Sequence, residues 1–174
     1  MAEKMKHILI FSHALELGGA ERALIGLLHA LDYSRVQVDL FLMRHDGELM
    51  SQIPAQVHLL PEKPQYASLA VPLKTVLKKG QLGVALGRFR GKRAAKKRER
   101  ELGITTGSVI GLEYSHKYTR TFMPKVGRQE YDLAVSFLTP HYFVAEKVRA
   151  KKKIAWIHTD YTKIRLDRES ELQM

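Results

Sequence analysis

Short apolar runs alternate along this chain with longer amphipathic stretches, and that alternation sets the order of its elements. Ile8–Phe11 is an apolar run that stops at a polar turn, which predicts a buried strand over about His7–Ser12. Beyond Gly18-Gly19, Leu24, Leu27, Leu28 and Leu31 recur at helical spacing and predict a helix over Ala20–Leu31 with one apolar face. Val36, Val38, Leu40 and Leu42 alternate with Gln37 and Asp39, so Val36–Met43 reads as a second strand nearer the sheet edge than the first. Asp46-Gly47 closes it with a turn. Val57–Leu60 is a short third strand, flanked by Pro54, Pro61 and Pro64.

Residues 65–127 are less regular. Leu69–Lys79 and Leu82–Leu102 read as helices, the second with Leu82, Leu86 and Phe89 on one side, and a third helix is expected from about Lys117 to Val126. The strand pattern returns at Asp132–Leu138, a helix is expected over Pro140–Arg149, and Lys153–His158 reads as a buried strand. The stretch Tyr161–Met174 is charged, and a helix is expected at its end. Strands separated by helices predict an α/β fold, a Rossmann-like, mostly parallel sheet with helices on both faces. In such sheets ligands bind outside the carboxyl ends of the strands. That rule places Ser12–Gly19, Arg44–Gly47, Leu138–His141 and His158–Tyr161 on one rim. There is no internal repeat.

Composition narrows the chemistry. The 174 residues suit one domain, and the absence of cysteine excludes disulfides, thiolate metal sites and cysteine nucleophiles, which fits a reducing cytosol. Ile8–Phe11 is too short for the apolar core of a signal peptide, and no run approaches the length needed to span a bilayer. A soluble chain, or one lying on a membrane surface, is expected. The net charge is +11, and between Lys74 and Arg100 eleven Lys or Arg residues face one acid, Glu99. Lys147, Arg149 and Lys151–Lys153 form a second basic cluster. Such an excess favours phosphorylated substrates, acidic lipid surfaces or nucleic acid. Arg88, Arg90, Lys92, Arg93, Lys96 and Lys97 share a helix with the apolar stripe, a combination that suits an interfacial helix; a solvated face is the plainer alternative.

Two stretches carry candidate chemistry. Glycines at 18 and 19 let the backbone approach a ligand closely, and the following helix presents unpaired N–H groups, so phosphate or diphosphate is the first ligand to suspect. The plainer alternative is a tight turn needing positive φ. Neither a GxGxxG fingerprint nor a GxxxxGK[ST] loop is present. His158-Thr159-Asp160 directly follows an apolar run, and a histidine there can donate to a ligand oxygen or move a proton; an ordinary loop histidine bonded to backbone is the alternative. His13 and His141 fall on the same rim, but the spacings match no metal motif and no metal is expected. Trp156 and Phe137 read as core rather than ligand-stacking groups.

With GGAER at Gly18–Arg22, DGEL at Asp46–Leu49, YDLAVSF at Tyr131–Phe137 and KKIAWIHTDY at Lys152–Tyr161, the chain resembles the N-terminal domain of family 4 glycosyltransferases of the GT-B fold. The resemblance leaves only the middle, about 65–127, unassigned. It implies a retaining transferase that moves a sugar from a nucleotide-sugar to a cell-envelope glycan or lipid-linked acceptor, with the nucleotide-sugar as co-substrate and no metal or other cofactor. By it, Gly18 and Gly19 approach the donor diphosphate, and His158, Asp160, His13 and His141 line the acceptor side of the cleft. The basic helix docks on anionic lipid, which implies a cytoplasmic protein peripheral on the inner membrane face. The resemblance also implies that this chain is the N-terminal half, incomplete at its last strands. The C-terminal donor-binding domain would be absent or supplied by a partner, and the isolated chain inactive. The competing expectation is a basic binding module for anionic lipid surfaces or nucleic acid, although no nucleic-acid motif is evident. A nucleotide-binding oxidoreductase is disfavoured by the missing fingerprint.

Overall fold

The structure, a computed structural model, describes residues 4–104, 108–158 and 160–172. They form two compact units, one from residues up to 63 together with 125–158, the other from 64–124 together with the segment beyond 158.

The first unit is a parallel sheet. Its strands are β1 (Lys6–Ser12), β2 (Val36–Leu42), β3 (His58–Leu59), β4 (Val126–Ser136) and β5 (Val148–Ala155), in the order β3-β2-β1-β4-β5, and every pairing is parallel. That order places successive strands first on one side of β1 and then on the other, the arrangement of a Rossmann-like half. The pleat sends alternate residues to opposite faces. Ile10, Val38, Leu40, Leu42 and Val135 form one apolar surface, which α1 (Gly19–Ala30) covers with Leu24, Ile25 and Leu28. On the other face Phe11 lies 5.8 Å from Phe41 and 5.1 Å from Phe143 of α6 (Tyr142–Lys147), centroid to centroid.

As its pattern predicts, β2 lies one place nearer the sheet edge than β1, between β1 and β3, and Val38–Leu42 is buried throughout. Asp39 tolerates that burial because Tyr131 donates its hydroxyl proton to the carboxylate (2.6 Å) and His58 Nδ1 lies 2.8 Å away. The stretch Lys153–His158, expected to be a buried strand, belongs to β5 only through Ala155, and β5 is the outermost strand with most of its residues exposed. Its lysines work locally: Lys151 pairs with Asp132 at 2.7 Å, and Lys153 donates to the Ala145 carbonyl at 2.6 Å. The fourth strand begins earlier than Asp132, because a bulge with Gly127 at φ 73° carries the pairing back to Val126.

The second unit is helical: α2 (Pro64–Ala67), α3 (Leu73–Lys78), α4 (Leu82–Glu101), α5 (Ile110–Thr119) and α7 (Arg168–Glu171). Contact between α4 and α5 is close enough to exclude side chains. A Cβ on Gly87 would lie 2.6 Å from the Tyr118 carbonyl oxygen, and one on Gly91 2.6 Å from that of Tyr114. The helix expected from Lys117 to Val126 lies earlier. Its buried positions Ile110, Glu113, His116 and Thr119 are mostly polar, which hides the period, and a 3₁₀ turn at Arg120–Phe122 then ends it. Instead of one helix, Leu69–Lys79 holds only α3, which starts after Pro72. The described part of Tyr161–Met174 is a 3₁₀ turn at Tyr161–Lys163 followed by α7; Gln173 and Met174 lie outside the described residues.

Candidate functional site

Chain connections leave β1 and β4 in opposite directions, so their carboxyl ends form the switch point at which such sheets generally take ligands. The residues that end these strands are polar. Ser12 is fully buried, and its Oγ has no hydrogen-bond partner among the described residues. His13 follows. Burial pushes its imidazole below the ordinary histidine value, with the Thr139 carbonyl acting in the opposite direction, and its Nε2 is also without a partner. His13 is therefore a neutral imidazole near pH 7.

Across the switch point, the buried Ser136 hydroxyl donates its single proton to the Leu138 carbonyl (3.1 Å). The same oxygen lies 2.8 Å from His141 Nδ1, a contact that fixes the orientation of the imidazole. His158 packs its ring 4.5 Å from that of Phe137. His13, His141 and His158 thus all border the turn Ser136–His141. Asp160 is spent locally: it accepts from the Thr162 N–H (3.0 Å) and the Thr162 hydroxyl (2.6 Å), capping the 3₁₀ turn. Thr159, the middle of the HTD motif, lies outside the described residues. Among the described residues, no three His, Cys, Asp or Glu side chains converge as metal ligands.

The glycine loop leads from β1 into α1. Gly18 precedes the helix with φ −119° and ψ 165°, and no side chain caps the first turn. Positive φ is therefore not what these glycines supply. A Cβ on Gly18 would lie 2.0 Å from the Glu21 carboxylate, a flexible group that can move away, whereas one on Gly19 would meet nothing within 4 Å. Open space thus lies over Gly19 in the first turn of α1, whose leading N–H groups have no partner within the helix. The glycine that needs a left-handed backbone is Gly47, at φ 112°. A Cβ on it would lie 2.2 Å from the Leu15 backbone, and the two loops are tied where Leu15 N–H donates to Asp46 (2.9 Å) and Leu49 N–H to Leu15 (2.9 Å). Arg44 bridges them with contacts to Glu16 (2.9 Å) and Asp46 (3.6 Å).

In the second unit the basic candidates divide. Arg88 turns inward and donates to the Ser68 (2.8 Å) and Val71 carbonyls, so it is a structural cation rather than a surface one. Arg90, Lys92, Arg93, Lys96 and Lys97 are exposed, and four of them line a shallow groove with Ala94, Arg100 and Tyr118. Leu82, Leu86 and Phe89 are at least 48% exposed on the same helix, with Arg93 over the Phe89 ring at 5.9 Å.

Sequence reasoning placed Ser12 on the rim but overlooked Ser136 and Glu113. Ser136 was legible only as a polar residue within the apolar run that ends β4. Glu113 is 2% exposed, neither carboxylate oxygen makes a well-formed hydrogen bond among the described residues, and burial, aided by the Glu171 charge and opposed by the Asp167 backbone N–H, pushes its pKa up to about 7. Its signal was the three-residue spacing Ile110, Glu113, His116.

No family model, curated protein or solved structure matches the chain.

Proposed function

We propose that this chain is the acceptor-side half of a retaining family 4 glycosyltransferase of the GT-B type. It would serve the transfer of a sugar from a nucleotide-sugar to a cell-envelope glycan or lipid-linked acceptor. The observation that carries the reading is the position of the GGAER loop. It opens α1 at the switch point of a Rossmann-like sheet, with free space over Gly19 and histidines on the facing turn. A diphosphate there would lie at a helix N-terminus, where backbone N–H groups and the helix dipole favour an anion. His13, whose imidazole is kept uncharged by burial, and His141, held against Ser136, suit hydrogen bonding to sugar hydroxyls.

Gly19 gives the test. A side chain there meets no protein atom, so Gly19→Leu should fold normally while filling the space a diphosphate would occupy. Uridine diphosphate should bind the parent chain, compete with inorganic pyrophosphate, and bind Gly19→Leu at least about tenfold more weakly, a loss of ~1.4 kcal/mol. Equal affinity of parent and variant would overturn the reading.

The exposed apolar and basic side chains of α4 support a second component, attachment to an anionic lipid surface. No described helix is long and apolar enough to cross a membrane, so such attachment would be peripheral.

A further inference from the structure

Trp156 is not the core residue that its apolar neighbours suggest. It is 44% exposed, just past the carboxyl end of β5, and its backbone N–H donates to the Ser136 carbonyl at 2.9 Å. That bond ties the indole to the same turn that holds His141. Beneath it lies Phe137, fully buried, with ring centroids 5.1 Å apart. His158 stands beside it, its ring within 9° of parallel to the indole at 5.9 Å, and also packs on Phe137 at 4.5 Å. The result is a fixed aromatic shelf on the ligand-binding rim.

Half-exposing the largest apolar side chain in the chain forfeits hydrophobic stabilisation, and a neighbouring polar ring that also stays exposed does not recover it. The spacing says how a ligand would use the shelf. A ring inserted between two parallel rings needs about 7 Å, twice the van der Waals thickness of an aromatic face. The 5.9 Å between Trp156 and His158 is too narrow, so the ligand must lie on an outer face. What suits such a face is a flat, weakly polar ring with polar groups at its edge. A pyranose fits: its C–H bonds point at the electron-rich indole face, and its hydroxyls reach outward to imidazole nitrogens. The polar neighbour shown beside the shelf is the imidazole of His158.

We infer that Trp156, backed by Phe137 and flanked by His158, is a stacking subsite for a pyranose ring of the acceptor. This rests on the glycosyltransferase reading for the word acceptor, and on the shelf alone for the word pyranose.

Trp156 is the only tryptophan, so fluorescence excited selectively at tryptophan, beyond the absorption of the seven tyrosines, reports this shelf in the unmodified chain. The probes are the methyl pyranosides of glucose, galactose, mannose and N-acetylglucosamine, with glycerol at equal concentration as the control and uridine as the nucleobase arm. At least one pyranoside should change the emission saturably while glycerol does not. Saturation-transfer NMR with that pyranoside should show binding at least about fivefold weaker in Trp156→Ala and partly restored in Trp156→Phe. Circular dichroism should confirm that both variants fold.

Three results would overturn the assignment: no saturable change with any of the four sugars, unchanged sugar binding in Trp156→Ala, or a response to uridine alone. The titration with uridine diphosphate on Gly19→Leu is independent. If diphosphate binding depends on Gly19 while the sugars leave Trp156 silent, the shelf falls and the transferase reading stands. If the sugars bind and diphosphate does not, the shelf stands and the donor reading falls.

Discussion

A carboxylate buried without a well-formed hydrogen bond costs most when it is charged, so Glu113 makes the second unit sensitive to pH. The groups that face it are acidic or neutral: Asp167, whose charge is balanced by Arg98 at 2.9 Å, and Glu171, which accepts from the Tyr161 hydroxyl at 2.8 Å. With a folded pKa of about 7 against an ordinary 4.5, the folded chain holds a proton that the unfolded chain has already released. Stability is therefore greatest below the unfolded pKa, falls as pH rises from about 4.5 to 7, and levels off once both states are ionised. Glu113→Gln keeps the shape and removes the proton equilibrium. The melting temperature of the parent should drop between pH 5 and pH 8 by at least about 3 °C more than that of Glu113→Gln, equivalent to ~1 kcal/mol. Parallel curves in a thermal scan would show that water or movement satisfies the carboxylate.

At the scale of elements, the stability of the helical unit depends on how closely α4 and α5 approach. Gly87 and Gly91 lie one helical turn apart, and each sits under a backbone carbonyl that cannot step aside as a flexible side chain can. Gly91→Ala should cost about 2–4 kcal/mol in urea unfolding, because one methyl group must push the helices apart. Gly111→Ala, on α5 with nothing within 4 Å, should stay within about 1 kcal/mol of the parent. Equal effects would mean that the two helices are not locked at Gly91. This contact also marks what the sequence could and could not disclose. The βαβ pattern was readable because Ile8–Phe11 is an unbroken apolar run, Leu24–Leu31 carries apolar residues at helical spacing and Val36–Leu42 alternates, and β1, α1 and β2 sit where those patterns place them. The extent of α5 was hidden because its buried face is Glu113, His116 and Thr119, residues buried by tertiary packing rather than by their own polarity. The rim histidines were readable from their places after apolar runs. The exposure of Trp156 was not, since an indole beside Ile154 and Ile157 looks apolar whichever way it points. Nor was the role of Asp160, which depends on a turn closed by Thr162.

For the whole molecule, the question is what a net charge of +11 is for. Charge alone would attract any polyanion, so the arrangement around it must decide. On α4 the exposed cations Arg90, Lys92, Arg93, Lys96 and Lys97 accompany Leu82, Leu86 and Phe89, none of them less than 48% exposed. A duplex phosphate backbone has no use for those apolar groups, whereas a lipid headgroup layer takes both. The chain should sediment with vesicles rich in phosphatidylglycerol and remain free of phosphatidylcholine vesicles. Reversing Arg93, Lys96 and Lys97 to Glu should weaken vesicle binding by at least about tenfold, since each cation near an anionic surface contributes ~1 kcal/mol. The pair Leu86→Ser and Phe89→Ser separates the two kinds of partner. On a membrane these substitutions should weaken binding most at high salt, where screening has removed the Coulombic share and insertion of the apolar side chains remains. If the serine variants bind as the parent does at every ionic strength while the charge reversals abolish binding, the helix is an electrostatic patch, and duplex DNA becomes the polyanion to test. Because Arg88 is committed to the Ser68 and Val71 carbonyls, its substitution should lower stability and leave the salt dependence of vesicle binding unchanged.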